Sequence, residues 1–139
     1  MIAASQLLGS KGMEVQEAIG IEKVANRVAL ARATLEDTLT KHSFTGRVSI
    51  HQTDIETMAS LPENTTIVYS FATAFPPVLV QRIHALCMKC PSLRAIVVTE
   101  SIFSACMHGK GWQRWRERFK VSVPMRFELS SKDFYILER

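Results

Sequence analysis

Apolar and polar residues alternate along this chain with two different periods. Ala18-Ile19-Gly20-Ile21 is a short apolar run ending at Glu22, which predicts a buried strand. From Lys23 the spacing changes. Val24, Val28, Leu30, Ala31, Leu35 and Leu39 recur at helical intervals through Thr40, which predicts an amphipathic helix. Val48-Ser49-Ile50-His51-Gln52 alternates again and predicts a second strand running into Asp54. Ile55–Leu61 reads as a short helical or turn segment, and Pro62-Glu63-Asn64 carries turn chemistry.

The second half repeats this alternation. Thr66–Phe71 is β-branched and aromatic, as a central strand is. Pro76-Pro77 predicts the opening of a helix over Val78–Lys89, which Pro91 ends. Leu93–Thr99 reads as a strand with Ala95–Val98 buried on both faces, and Glu100–Gly111 as irregular. Trp112–Phe119 is expected to form one or two helical turns. Strands at Lys120–Leu129 and Phe134–Leu137 are expected to form a hairpin around Ser130–Asp133. Residues 1–8 read as a helix with no strand before it. Strands alternating with helices predict one α/β domain over residues 1–139, its sheet mostly parallel and closed by a C-terminal antiparallel hairpin.

Composition narrows the class. Hydrophobic residues make up 47% and charged residues 22% of the 139, too apolar for a disordered chain. No apolar run approaches the length of a membrane helix, so no membrane partner is expected. Three cysteines cannot all pair within one chain, which points to the nucleus or the cytoplasm. A formal charge of +4 permits an anionic partner without requiring one.

In an open parallel sheet, ligands bind beyond the carboxyl ends of the strands. The candidate residues are therefore Glu22, Asp54, Phe71–Thr73 and Thr99-Glu100. Glu22 can accept both hydroxyls of a ribose, or it can be an ordinary carboxylate at a helix start. Asp54 can accept the amine of an adenine, or cap the segment after it. Phe71 and Phe75 can wall a pocket or simply pack. Cys87-Met88-Lys89-Cys90 is a CxxC without further ligands at zinc spacing, and His42, His51, His84 and His108 form no spaced cluster, so no metal is expected. Lys110, Arg114, Arg116, Arg118 and Lys120 surround Trp112 and Trp115. That mixture can hold a nucleic-acid backbone, or it can be an amphipathic segment with solvated arginines.

Gly20-Ile21-Glu22-Lys23, followed by a helix rich in Ala and Arg, resembles the acidic strand end of class I S-adenosylmethionine-dependent methyltransferases. More narrowly, it is similar to that segment in the non-SET histone-lysine methyltransferases, the disruptor-of-telomeric-silencing family. Thr53-Asp54-Ile55, the block from Ile67 to Pro77, and the ending from Arg126 through Leu137 resemble later parts of the same family. The resemblance implies a Rossmann-like methyltransferase fold and S-adenosyl-L-methionine as cofactor, with a histone, a nucleosome or another protein as partner. It implies cofactor contacts at Glu22, Lys23, Asp54, Ile55, Phe71 and Ala72, and acceptor contacts at Thr73 and Phe75. The family's first strand and glycine-rich loop are expected to be missing from this sequence. Ala72 stands where the family places Asn or Asp. Both departures support an alternative, an inactive methyltransferase-like fragment that binds a protein or nucleic-acid partner.

Overall fold

The computed structural model describes residues 15–41, 46–71, 74–99, 115–124 and 131–139, without the side chains of 118, 124 and 131. The helix expected over residues 1–8 and the segment 100–111, expected to be irregular, lie outside these residues. The chain divides into two compact units, Met1–Met58 and Ala59–Arg139.

In the first unit, strand β1 (Glu17–Glu22) pairs in parallel with strand β2 (Arg47–Gln52), in register from Glu17↔Arg47 to Glu22↔Gln52. Parallel neighbours need a crossover, and helix α1 (Ala25–Lys41) supplies it. The Arg47 N–H donates to Gln16 O and the Thr53 N–H to Glu22 O, at 2.8 and 2.9 Å. The odd-numbered backbone groups of β2 therefore face β1, and the even-numbered ones face outward. Arg32 meets that outer edge, donating from Nε and Nη2 to Ile50 O at 3.1 and 2.7 Å. The predicted stripe of α1 is narrower than its spacing suggests. Val28 is buried, whereas Leu30 is 70% exposed. Two residues apart on a helix is about 200°, so the two cannot share a face.

After Asp54 there is a turn, not a helix. Thr57 N donates to Asp54 O at 3.0 Å, and the turn ends within three residues. At the predicted Pro62–Asn64 turn, Asn64 has φ 62°, a left-handed conformation that Asn tolerates.

The second unit holds a four-stranded sheet in the order β3-β4-β6-β5. Strand β3 (Ile67–Ser70) runs parallel to β4 (Ala95–Thr99), with helix α2 (Pro77–Lys89) between them in the chain. Strand β6 (Ser131–Glu138) is antiparallel both to β4 and to β5 (Arg116–Pro124). Pro77 opens α2 because its fixed φ suits a first helical turn, where its missing N–H leaves no bond unmade. The core is Leu86, Cys87, Leu93, Ile96, Val98 and Leu137, all under 2% exposed. Ala95 and Val97 are only half-buried, so β4 is fully covered on one face and not on both.

The two C-terminal strands pair antiparallel as expected, each starting earlier than expected, and residues 125–130 lie outside the described residues. Residues from Arg116 onward are strand, not helical turns, because Arg116 through Pro124 find ladder partners from Glu138 back to Ser131. A bulge between Glu117 and Phe119 absorbs the break in alternation. Ser131–Asp133 belongs to β6 and not to the turn. Asp133 accepts a hydrogen bond from the Ser122 hydroxyl and pairs with Lys120 at 2.8 Å across the ladder.

Candidate functional site

The two carboxylates singled out by position both lie in the first unit, at the carboxyl ends of adjacent parallel strands. The register that pairs Glu22 with Gln52 puts Asp54 two residues past the partner of Glu22. The Thr53 N–H to Glu22 O bond, 2.9 Å, ties the two strand ends together. Ile55 follows, half-buried.

Each carboxylate has a backbone N–H on one oxygen and a cation near the other. Glu22 Oε1 accepts the Val24 N–H at 2.8 Å, while Oε2 stands 4.0 Å from the Arg27 guanidinium. Asp54 Oδ1 accepts the Glu56 N–H at 3.0 Å, and Oδ2 lies 2.6 Å from Lys23 Nζ. The hydrogen bond from Lys23, and then that from the Glu56 N–H, holds Asp54 below the usual carboxylate range. The same bond raises Lys23. Glu56 approaches Lys23 at 3.8 Å. The end of the sheet thus presents two acids, each partly exposed and each beside a cation. A carboxylate offers about four acceptor positions, so each retains capacity for a ligand donor. Two acids beside one another suit a diol and an amine, the donors that an adenosyl group carries. These two acceptors fit the expected cofactor.

In the second unit, Phe71 and Phe75 are 38% and 40% exposed. Phe71 and Tyr69 both stack on Phe134, with ring centroids 5.9 and 6.0 Å apart. Sequence reasoning missed Phe134 as their partner. The two-residue spacing of Tyr69 and Phe71, the latter just past the end of β3, is the spacing of residues that share one side of an extended chain. Ala72 and Thr73 lie outside the described residues.

The basic segment is reorganised. Trp115 is 5% exposed, with the Arg139 guanidinium 5.7 Å from its ring. Arg116 is exposed on β5. Lys120 is tied to Asp133 and sits 5.4 Å from the Tyr135 ring, interactions that push it up to about 12. Lys110, Arg114 and the Arg118 side chain lie outside the described residues.

Cys87 is a core residue at 1% exposure, and burial, then the neighbouring Cys90, pushes its thiol up to about 12. A thiol so protonated is a poor nucleophile and a poor metal ligand. Among the described residues no group of His, Cys, Asp and Glu is arranged to hold a metal. No described helix is long and apolar enough to cross a membrane. An open groove of about 930 Å³ runs along the outer edge of β2, lined by residues including Arg32, Glu36, Leu39 and His51, and by neither Glu22 nor Asp54. The two strand-end carboxylates lie at the same end of the parallel pair, where ligands of such sheets bind, and the groove contains neither of them.

No protein-family model and no curated protein matches this sequence. Solved structures do. An rRNA methylase from Escherichia coli is similar over 99% of this chain, with TM-score 0.54 and 11% identity. A Haemophilus influenzae protein assigned provisionally as a methylase is similar over 98%, with TM-score 0.56 and 10% identity. An rRNA methylase from Streptococcus thermophilus is similar over 92%, with TM-score 0.55 and 11% identity. This chain spans 63%, 80% and 75% of those three chains. At such identities the likeness is one of fold. The neighbours carry the broad methyltransferase architecture and do not carry the narrower histone-modifying family. The chain has the mixed α/β, Rossmann-like fold of these methylases.

Proposed function

We propose that this chain is an S-adenosylmethionine-dependent methyltransferase whose first unit holds the adenosyl part of the cofactor. The observation that carries the reading is the placement of Glu22 at the end of β1 and of Asp54 two residues past Gln52, the ladder partner of Glu22 on β2, with the Thr53 N–H bonded to the Glu22 main-chain oxygen. Glu22 accepts the ribose hydroxyls, Asp54 accepts the adenine amine, and Ile55 lies against the base. The cofactor supplies a methyl group on a positively charged sulfur. The protein's task is then mainly alignment of the acceptor, and acid–base chemistry is secondary. Residues Phe71 through Phe75 are assigned to the wall near the transfer site, Phe71 and Ala72 toward the cofactor and Thr73 and Phe75 toward the acceptor.

For the acceptor, the Gly20–Lys23 resemblance supports a protein lysine, with histone or nucleosome as partner and Lys110, Arg114, Arg116 and Arg118 on nucleosomal DNA. An apolar wall such as Phe71 favours the neutral amine that a lysine must present. A second reading is favoured by the structural neighbours, two of which are named rRNA methylases. It makes the acceptor an RNA base and gives the same basic residues the RNA backbone.

Calorimetric titration of S-adenosylmethionine into the chain, beside Glu22→Ala, tests the cofactor reading. Micromolar binding, about −8 kcal/mol, is expected for the wild type and lost in the variant. A folded wild type that gives no heat refutes it and moves the lead to a partner-binding module.

A further inference from the structure

The two acids at the strand ends are built alike, and the likeness singles out one residue. In each, a backbone N–H two residues on fixes one carboxylate oxygen: Val24 for Glu22 and Glu56 for Asp54. The second oxygen is where the two differ. Arg27 stands 4.0 Å from Glu22, the limit of an ion pair, whereas Lys23 closes on Asp54 to 2.6 Å. Asp54 is thereby held from both sides. Its main-chain oxygen also accepts the Thr57 N–H and hydroxyl at 3.0 and 2.9 Å, which fixes the backbone beneath it.

We propose that Lys23 is a positioning residue: it pins the Asp54 carboxylate in one orientation, as the acceptor for the exocyclic amine of a bound adenosyl group. The inference rests on the cofactor reading above. Lys23 follows Glu22 directly in the chain. One strand end therefore supplies both the ribose acceptor and the cation that orients the base acceptor on the neighbouring strand.

Stability does not account for this pair. The Lys23 side chain is 64% exposed and that of Asp54 is 25% exposed, and an ion pair at such a surface contributes little to folding. Orientation is different, because a ligand donor needs the lone pair in one place, and one backbone N–H leaves the other oxygen free to swing. The charged groups facing Asp54 are Lys23 and Glu56, with Glu22 and Arg27 at the adjoining strand end. Lys23 alone among these touches the carboxylate side chain to side chain. Its loss would let Asp54 take up a proton at higher pH, since the bond from Lys23 is the largest influence keeping it ionised.

The test uses Lys23→Met and Lys23→Arg on the chain as it stands, with S-adenosylhomocysteine as probe and its 6-oxo analogue, S-inosylhomocysteine, as the ligand lacking the amine. Lys23→Met is expected to weaken adenosyl binding about threefold to tenfold and to narrow the preference over the 6-oxo ligand. The acid limb of binding should move up in pH, and the Asp54 carboxyl resonance should titrate higher by NMR. Lys23→Arg should restore affinity to within about twofold, since a guanidinium also donates to a carboxylate. Wild type that binds while Lys23→Met matches it in affinity, acid limb and base preference overturns this inference alone. So does an Asp54 titration that ignores the substitution. Wild type that binds neither nucleoside overturns the cofactor reading and this inference together.

Discussion

Leu137 and Ile136 are neighbours on β6, and they should respond very differently to truncation. Leu137 is 0% exposed and pairs in the ladder with Ile96, itself 1% exposed. Ile136 points to the opposite face and is half-buried. Leu137→Ala removes three carbons from a sealed site. At about 0.8 kcal/mol per buried methylene the transfer loss is about 2.4 kcal/mol, and the cavity brings the total to about 3 kcal/mol or more. Ile136→Ala loses only part of its transfer energy and opens no sealed cavity, so about 1 kcal/mol is expected. β-propensity penalises Ile→Ala more than Leu→Ala and so works against the contrast, which makes the comparison conservative. Urea unfolding followed by tryptophan fluorescence is the assay, since Trp115 is buried in this unit. With a slope of about 1–3 kcal/mol/M, the midpoint for Leu137→Ala should lie roughly 1 M below that for Ile136→Ala. Equal midpoints, or the reverse order, would refute the assignment of Ile96, Val98 and Leu137 to the sealed face.

Two further outcomes follow from the charged residues. Asp133 is depressed in the folded state by Lys120 first and then by the Ser122 hydroxyl, so its contribution is present above the unfolded carboxylate value of about 3.9 and is lost as pH falls through the folded one. Between about pH 5 and 3 the wild type should therefore lose more stability than Asp133→Asn, and parallel urea midpoints across that range would count against the pairing. If the basic segment holds nucleic acid, replacing Arg114, Arg116 and Arg118 with Ala should flatten the dependence of binding on salt, and an unchanged slope would exclude that role.

How far the candidate site could be read in advance depended on range. Glu22 and Asp54 were identifiable because one ends and the other closely follows a strand whose own composition announces it, and in a parallel sheet strand ends gather on one side. Lys23 was singled out only by resemblance, since its bond to Asp54 crosses 31 positions of chain. Arg32 left no signal at all. One more basic residue on an exposed helix face looks solvated until the outward carbonyl of Ile50 is seen beside it.

The same division separates what the chain determines locally from what packing decides. Hydrophobic period, proline positions and turn residues by themselves determined the alternation of strands and helices from Glu17 to Thr99, the start of α2 at Pro77 and the turn at Asn64. These are short-range matters of sterics and of backbone hydrogen bonds within a few residues. Only the tertiary structure decided that Arg116–Pro124 is strand, that Trp115 is buried, that one face of β4 is covered more than the other, and that Asp54 meets Lys23. A segment mixing Arg, Glu and Phe has no strong period of its own. It takes the conformation of whichever neighbour offers a ladder, and here that neighbour is β6.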